Sequence, residues 1–158
     1  CVACLGCNSC IPGLVPVCLI GMGRNVPMFR TNIALSSAGP FFGNMVVTMR
    51  PLREEQIEKA KVISAKYPQA HGAPIGMGDP SSIGISDLSQ PDYGDPVEVK
   101  PGEVPVYWAC GVTPQNVLRA AKLPLCITHA PGHMLITDVP EDAETTIYQE
   151  PTQQGEKI

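Results

Sequence analysis

The sequence predicts an α/β domain: a mixed β-sheet covered by helices, with loop-rich segments that form the site. The chain has 158 residues, of which 44% are hydrophobic, so it is long enough for one domain with a core. Short β-branched runs alternate with helical patterns, which favours a sheet packed against helices. The 17 prolines and 15 glycines, about a fifth of the chain, indicate many shaped loops, where binding sites are often built.

One strand and one helix are predicted in the first half of the chain. Residues 24–42 read as a polar loop that closes on Ala38-Gly39-Pro40, and residues 44–49 are rich in β-branched residues, which favours a strand. Residues 51–66 have the strongest helical pattern, with Pro51 in the first turn and Pro68 after the end. Acidic residues lie near its start and lysines near its end. Its predicted apolar side carries Ile57, Ala60, Ile63 and Tyr67.

The second half is predicted to contain a long loop region, three strands and one helix. Turn residues are dense over residues 69–105, which indicates structured loops. Residues 104–109 favour a strand, and Thr113 supplies a capping hydroxyl, followed by a proline, for a helix that runs to about Lys122. Two further short strands, joined by a tight turn, are predicted. They cover residues 125–128 and 134–137.

Charge and hydropathy argue against two classes of partner. The formal net charge is −4 and no Lys/Arg cluster occurs, whereas phosphate binding needs a basic surface, so no nucleic-acid partner is expected. The longest apolar run, residues 11–20, is too short to span a bilayer and is broken by Pro12, Gly13 and Pro16. It also lacks the basic flank of a signal peptide. We therefore expect a small polar substrate and no membrane partner.

The first candidate site segment is Arg30-Thr31-Asn32. The planar guanidinium of Arg30 can hold a carboxylate through a fork of donors, and Thr31 and Asn32 add hydrogen bonds of fixed direction. The alternative is a surface arginine beside a turn, since exposed arginines are common. We predict these three residues as substrate-binding candidates.

The second candidate pairs His71 with Asp79 in a loop rich in glycine and proline. A histidine titrates near neutral pH and a loop carboxylate can partner it, which suits proton transfer. We predict both as catalytic residues, with the alternative that Asp79 caps a turn left open. Three carboxylates that follow are predicted to cap turns, a role that Asp fills well. They are Asp87, Asp92 and Asp95.

The third candidate combines His129, His133 and Asp138 around the Pro131-Gly132 turn. Two histidines and a carboxylate could orient one another for acid–base chemistry, and we predict all three as catalytic residues. A histidine pair four residues apart binds a metal reliably on a helix, but proline and glycine exclude a helix here, so no metal is predicted. A structural role for either histidine, with ring nitrogens bonded to loop carbonyls, stays open.

The seven cysteines fall into two groups. The first four are separated by two residues each, whereas the ferredoxin run has three residues before its last cysteine and a proline after it, so no iron–sulfur cofactor is predicted. The others lie in apolar, strand-like settings typical of buried free thiols. Cys110 also precedes a predicted helix start, where the helix dipole favours a thiolate, and it is predicted as a substrate contact. The two groups are Cys1, Cys4, Cys7 and Cys10, and Cys18, Cys110 and Cys126.

Six segments together resemble the D-glutamate cyclase family, a family of hydro-lyases. The resemblance covers roughly residues 21–139, in order and without an evident gap. The resemblance is specific because the matching runs are long. No single short motif would identify the family by itself. The segments are Asn25-Val-Pro-Met-Phe-Arg-Thr-Asn, His71-Gly-Ala-Pro, Gly78-Asp-Pro, Pro91-Asp-Tyr-Gly-Asp, Gly102-Glu-Val-Pro-Val-Tyr-Trp-Ala-Cys-Gly-Val-Thr-Pro-Gln and Thr128-His-Ala-Pro-Gly-His-Met-Leu-Ile-Thr-Asp.

The resemblance implies a mixed α/β fold and the cyclisation of D-glutamate to 5-oxo-D-proline with loss of water. The amine must be neutral to attack the side-chain carboxyl, and the departing hydroxide needs an acid. A fixed cation should hold the other carboxylate, and donors should stabilise the tetrahedral oxygen. The sequence does not say which residue is the acid and which the base. The implied clamp is Arg30 with Thr31 and Asn32, and the acid–base candidates are His71, His129 and His133, with Asp79 or Asp138 orienting one of them.

The resemblance also divides the chain into three parts. Residues 1–23 are expected to be an atypical, truncated N-terminal segment, in which Leu5-Gly6-Cys7 looks like a family element but its continuation does not. Residues 24–140 would be the C-terminal part of a D-glutamate cyclase-like domain, and residues 141–158 a polar acidic tail. Animal members imply a mitochondrial matrix setting. No cofactor is expected, and a homo-oligomer is compatible with the sequence.

Two other functions compete with the cyclase. The chain could be a non-catalytic binding or regulatory fragment of that enzyme. It could also be a metal-dependent hydrolase that uses His129, His133 and a carboxylate. Turnover of D-glutamate that a chelator does not affect would favour the cyclase over both.

Overall fold

The computed structural model describes residues 25–68 and 70–130, and it shows an α/β fold. The elements are β1 (Met28–Ala34), β2 (Asn44–Arg53), α1 (Glu54–Ser64), β3 (Gly76–Met77), a 3₁₀ helix (Pro80–Ile83), β4 (Glu103–Ala109) and α2 (Thr113–Ala121). The four strands form one sheet in the order β1-β2-β4-β3, and each neighbouring pair is antiparallel. The predicted fold class is confirmed.

Several predictions fall outside the described residues. They concern the segment 1–23 with its cysteines, the strand 134–137, the tail 141–158, and the site candidates His133 and Asp138. None of the helices in the described part of the chain has the length and hydropathy that a membrane span requires.

Apolar residues cover both faces of the sheet, because successive side chains of a strand point to opposite sides. On one face, Leu52 and Val106 pack against Ile57 of α1. The opposite face is covered by the loop that follows β3. The buried residues on that face are Phe29, Val47, Met49, Ile85 and Tyr107.

β1 lies in the stretch that the sequence predicts as a polar loop, and that prediction is wrong. Met28 and Phe29 are each only 2% exposed, because one packs on each face of the sheet. A strand that is covered on both faces does not show the alternation of apolar and polar residues that marks a half-buried strand. The polar residues that follow obscured the pattern further.

The boundary between β2 and α1 lies later than predicted. β2 continues to Arg53, so Pro51 is a strand residue and not part of the first helical turn. It faces Pro105 of β4. Met49, two residues earlier, donates its N–H to Pro27 on the β1 side, so the missing N–H of Pro51 also points away from β4. Pro51 therefore removes no hydrogen bond from the β2–β4 pair.

The predicted helix, strand and helix at α1, β4 and α2 are confirmed. Ile57 and Ala60 are buried on the predicted apolar side of α1. The N-cap of α2 is Val112, and no side-chain hydrogen bond caps this helix. The hydroxyl of Thr113 instead contacts Val46 of β2, so its predicted capping role is wrong.

The strand predicted over residues 125–128 is not present. This stretch has no strand structure, and Leu125 and Ile127 are 78% and 89% exposed. β-branched and apolar residues favour a strand only where a partner strand can pair with them. Within the described residues, the sheet pairs no strand with this stretch.

Candidate active site

His71 lies at the end of β4, on the side of that strand where β3 pairs. Ile75 donates its N–H to the carbonyl oxygen of Tyr107 at 2.8 Å. Two residues further along β4, the carbonyl oxygen of Ala109 accepts a hydrogen bond from Nδ1 of His71. The imidazole therefore bonds to the same side of β4 that β3 pairs with, next to the end of β3. This placement leaves His71 half-buried.

The contact with Ala109 determines which ring nitrogen of His71 carries the proton. A carbonyl oxygen only accepts hydrogen bonds, so Nδ1 is the donor and Nε2 is the basic nitrogen of the neutral ring. Burial lowers the pKa of His71 below its ordinary value, the Ala109 carbonyl opposes this in part, and the positive charge of Arg50 lowers the pKa further. The neutral imidazole with a basic Nε2 is thus the favoured state near pH 7.

The turn from β4 into α2, residues 109–115, is fixed to one buried residue of β2; we call this turn the β4–α2 junction. The N–H of Cys110 donates to the carbonyl oxygen of Val46 at 3.0 Å. The hydroxyl of Thr113 donates to the same oxygen at 3.1 Å and accepts from the N–H of Val46 at 3.0 Å. The Thr113 hydroxyl therefore bonds to the backbone of Val46 in the way that backbone groups of β4 would if that strand were longer.

Gln115, in the first turn of α2, brings His129 to the same junction. The side-chain Nε2 of Gln115 donates to the carbonyl oxygen of His129. The chain that leaves α2 at Lys122, which has a left-handed backbone, thus returns to the start of the helix. Two of the predicted catalytic residues, His71 and His129, contact the junction from different segments. His129 itself is exposed.

The cysteines of the described residues differ from each other in burial. Cys110 is 8% exposed and packs in an apolar cluster with Met28, Val46 and Val112, so the prediction of a buried thiol is confirmed for it. Its role as a substrate contact stays a prediction. Cys126 is exposed, so the prediction that it is buried is wrong. It lies in the stretch after α2 that was expected to be a strand.

Arg30 lies on the outer edge of β1 and is held by residues 91–95. Its Nη2 donates to the hydroxyl of Tyr93 at 3.2 Å, and its Nε lies 3.7 Å from Oδ1 of Asp92. The other carboxylate oxygen of Asp92 accepts the backbone N–H of Arg30 at 2.8 Å. The Tyr93 hydrogen bond, and to a lesser extent the Asp92 charge, raise the pKa of Arg30. Arg30 is half-exposed, but the protein itself already supplies partners for its guanidinium.

The two polar residues that follow Arg30 point to opposite faces of β1. The hydroxyl of Thr31 is buried, donates to the carbonyl oxygen of Met45 at 2.8 Å and accepts from the N–H of Ile33 at 3.2 Å. These contacts hold the β1–β2 pair together. Asn32 is exposed and lies against Gly84. The role of both residues in substrate binding stays a prediction.

Asp79 caps the 3₁₀ helix, which is the alternative that the sequence left open for it. Its carboxylate accepts from the N–H of Ser81 at 3.0 Å and from the hydroxyl of Ser81 at 2.6 Å, and these hydrogen bonds lower the pKa of Asp79. Burial, and secondarily the Asp79 charge, raise the pKa of Tyr107 to about 12. The Tyr107 hydroxyl therefore stays protonated and donates to the carbonyl oxygen of Gly78 at 3.0 Å.

The sheet separates Arg30 from His71. β1 and β4 are two strand spacings apart, about 10 Å, and His71 approaches β4 from the side away from β1. The guanidinium of Arg30 is turned towards Tyr93, which pairs with Met28 on the outer edge of β1. The described residues therefore bring His71 and His129 to one junction but place Arg30 at the other edge of the sheet.

Two of the three predicted turn caps are long-range contacts instead. Asp87 caps its own turn, as predicted. Asp92 and Asp95 accept from the backbone N–H groups of Arg30 and Asn25, each at 2.8 Å, so the prediction for these two is wrong. Their partners lie 62 and 70 residues away in sequence, which local turn chemistry does not reveal.

Two residues near the site were not predicted from the sequence. A Gln at the third position of a helix is typical of a capping box, and that signal could have drawn attention to Gln115. Its amide, however, reaches the carbonyl of His129. Arg50 lies within β2, outside any polar motif, and its effect on His71 depends on the tertiary fold.

The metal site with the predicted histidine pair stays a hypothesis. Over residues 25–68 and 70–130, no three His, Cys, Asp or Glu side chains are grouped as metal ligands would be. His133 and Asp138, which would join His129 in such a group, lie outside these residues.

Comparisons with known proteins agree with the residues that carry the family resemblance. The family described as D-glutamate cyclase matches residues 11–138. A protein of Jannaschia sp. is 67% identical over 92% of this chain and 56% of its own length. Proteins of Dinoroseobacter shibae and Bordetella pertussis are 55% and 57% identical, over 84% and 79% of this chain and 46% and 45% of their own lengths. Each of the three carries the name "Putative hydro-lyase".

The chain belongs to the D-glutamate cyclase family. It spans about half the length of the curated relatives that it matches. These relatives are bacterial, so they give no support to the mitochondrial setting that animal members implied.

Proposed function

We propose that the protein to which this chain belongs converts D-glutamate to 5-oxo-D-proline and water, with His71 as the base. Family membership supplies the substrate class. The observation that supports the role of His71 most strongly is its Nδ1 contact with the carbonyl oxygen of Ala109. That contact makes Nε2 the proton acceptor of a half-buried imidazole, as general base catalysis requires.

The cyclisation needs two protons to leave nitrogen and two to reach oxygen. The α-ammonium group loses one proton, and the nitrogen lone pair then forms a C–N bond to the δ-carboxyl carbon. When the tetrahedral intermediate collapses, a C–O bond breaks and the nitrogen loses its second proton. The departing oxygen takes up two protons and leaves as water. One base that accepts and returns a proton, together with one acid, can carry out the whole transfer.

We assign the proton steps to the two histidines that contact the β4–α2 junction. Nε2 of His71 takes the ammonium proton, because the lowered pKa keeps its ring neutral near pH 7. His129 is the proposed acid, since Gln115 holds it at the same junction. His133 and Asp138 remain predicted supporting groups. Asp79 is assigned a structural role, because its carboxylate is engaged with Ser81.

For recognition of the substrate carboxylate we propose a role for Arg30 that differs from the one predicted from the sequence. The placement of Arg30 and His71 on opposite sides of β4 and β2 argues against one small substrate that contacts both. We therefore propose that Arg30, Asp92 and Tyr93 chiefly hold the loop against β1. The predicted clamp of Arg30 with Thr31 and Asn32 is the competing proposal.

The second candidate function is a non-catalytic fragment of the cyclase. The chain covers about half of its relatives' length, so part of the active site of the whole protein could lie outside it.

The experiment compares this chain with the full-length Jannaschia relative. Each is incubated with D-glutamate or L-glutamate, with and without a chelator, and the product is identified by chiral chromatography. We expect 5-oxo-D-proline from the D-isomer alone, at a rate that the chelator does not change. Turnover by the relative but not by the chain would favour the fragment. Loss of turnover with chelator would favour the metal enzyme, and D-glutamate left unchanged by both proteins would refute the proposal.

A further inference from the structure

We infer that Gln115 is a positioning residue that holds His129 at the β4–α2 junction, and that Thr113 fixes the helical turn from which Gln115 acts. The inference rests on the proposed function, in which His129 is the acid. Gln115 contacts the backbone of His129 and not the reacting atoms, so its effect on catalysis is indirect.

The stretch that carries His129 has little else to hold it in the described structure. Leu125 and Ile127 are 78% and 89% exposed, and the stretch belongs to no helix or strand. Within the part of the chain that the structure describes, the bond from Gln115 is the hydrogen bond that ties residues 123–130 to the fold. A catalytic group on so exposed a segment needs an anchor, because an error of about 1 Å in its position can cost a hundredfold in rate.

The anchor is itself rigidly placed. Thr113 lies two residues before Gln115 in the same helical turn, and its hydroxyl both donates to and accepts from the backbone of Val46. Val46 is 0% exposed and lies in the second strand of the sheet. Because Cys110 also donates to Val46, the end of β4 and the start of α2 are fixed to the same buried residue.

These contacts form a continuous connection between the two histidines. His71 bonds to Ala109 at the end of β4, and Gln115 bonds to His129 at the start of α2. The junction between them is fixed to β2. The geometry therefore points to the junction as the element that sets the distance between base and acid.

The test replaces the donor of Gln115 in two ways. Gln115→Glu has nearly the same shape but cannot donate to the His129 carbonyl, and Gln115→Met removes the donor without adding a charge. Asn116→Asp is the matched control for the first change. Asn116 is the next residue, and its amide lies 3.5 Å from the carbonyl oxygen of Asn44. The control adds the same charge to the same turn.

Both Gln115 variants should lower kcat for D-glutamate about tenfold, with KM changed less than about twofold. Asn116→Asp should match the wild type. A purely structural role would lower the midpoint of thermal unfolding but leave kcat of the folded protein unchanged. Wild-type kcat in Gln115→Met would overturn the inference.

An NMR measurement separates this inference from the proposed function. The chain has three histidines, so their ring resonances can be assigned individually by NMR. In Gln115→Met the ring signal of His129 should shift while that of His71 does not, whether or not D-glutamate is turned over. An unchanged His129 signal would refute the positioning role alone.

Thr113 provides a rescue test of the same inference. Thr113→Val keeps the shape but removes the hydroxyl, whereas Thr113→Ser retains it. We expect Thr113→Val to shift the His129 signal in the same direction as Gln115→Met, and Thr113→Ser to restore the wild-type signal. A Thr113→Val protein that is folded and has the wild-type signal would contradict the role given to Thr113.

Discussion

His71 illustrates how a backbone contact can set the chemistry of one side chain. Its pKa is lowered, so the neutral, basic form persists to a lower pH than for an ordinary histidine. If Nε2 is the base, kcat/KM for D-glutamate should lose activity on the acid side only below about pH 6.5. His71→Gln should reduce kcat/KM about a hundredfold or more and remove this acid limb. An acid limb that survives in His71→Gln would assign the base elsewhere.

For Arg30 we predict a small effect on kcat/KM, in contrast to the large effect predicted for His71. Because its guanidinium is held by Tyr93 and Asp92 at the outer edge of β1, Arg30→Lys should leave kcat/KM within about threefold of the wild type. The measurement is steady-state kinetics with D-glutamate, with circular dichroism as the control for folding. A fall of about fiftyfold would restore the predicted carboxylate clamp, since lysine keeps the positive charge but lacks the planar fork that binds a carboxylate through two hydrogen bonds.

The close packing of the loop at Gly94 against Val26 leaves no room for a β-carbon at position 94. The φ of Gly94 is +76°, and a β-carbon there would lie 2.0 Å from the carbonyl oxygen of Val26. Gly102 has a similar φ of +82° but open space around it. Gly102→Ala should therefore cost about 1 kcal/mol of unfolding free energy from backbone strain alone, and Gly94→Ala about 3 kcal/mol or more. Equal losses in urea unfolding would show that the close approach to Val26 has no effect.

At the scale of elements, the loop at residues 91–95 protects the outer edge of β1. An edge strand leaves unpaired N–H groups, and here a carboxylate accepts the N–H of Arg30 while Met28 and Tyr93 exchange backbone hydrogen bonds. Asp95 adds a further bond to the N–H of Asn25. The loop therefore takes the place of a fifth strand.

This arrangement predicts that the carboxylate of Asp92 protects the backbone N–H of Arg30 from exchange. Asp92→Ala should increase amide hydrogen exchange at Arg30 about tenfold, because the acceptor of that N–H is lost. Asp87→Ala is the matched control, since Asp87 bonds only within its own turn among the contacts described. Exchange at Arg30 that is equal in the two variants would contradict the protective role of Asp92.

The elements differ in how well their sequences predicted them. The starts of β2 and β4 and the apolar side of α1 follow local patterns, and these were predicted. β1 was missed because Met28 and Phe29 are buried on opposite faces, which removes the alternation. Local rules predict a helix start at Pro51, because they do not show that this residue faces Pro105 across the sheet.

For the molecule as a whole, side-chain chemistry selects candidate residues for the site, whereas the fold decides how these candidates are arranged. Arg30, His71 and His129 were all selected by side-chain chemistry, which is a local property. Their separation depends on the order β1-β2-β4-β3, which no local pattern encodes. The roles of Gln115 and Asp92 also depend on contacts with residues distant in the fold.

The proposed function makes His71 a neutral base, with its proton on Nδ1, in the conversion of D-glutamate to 5-oxo-D-proline. The most direct measurement is ¹⁵N NMR of the histidine rings near pH 7, without and with 5-oxo-D-proline. We predict that Nδ1 of His71 is protonated and Nε2 is not, and that the His71 signals shift with 5-oxo-D-proline but not with its L-isomer. A charged His71 ring near pH 7, or signals that do not respond to the D-isomer, would contradict the claim.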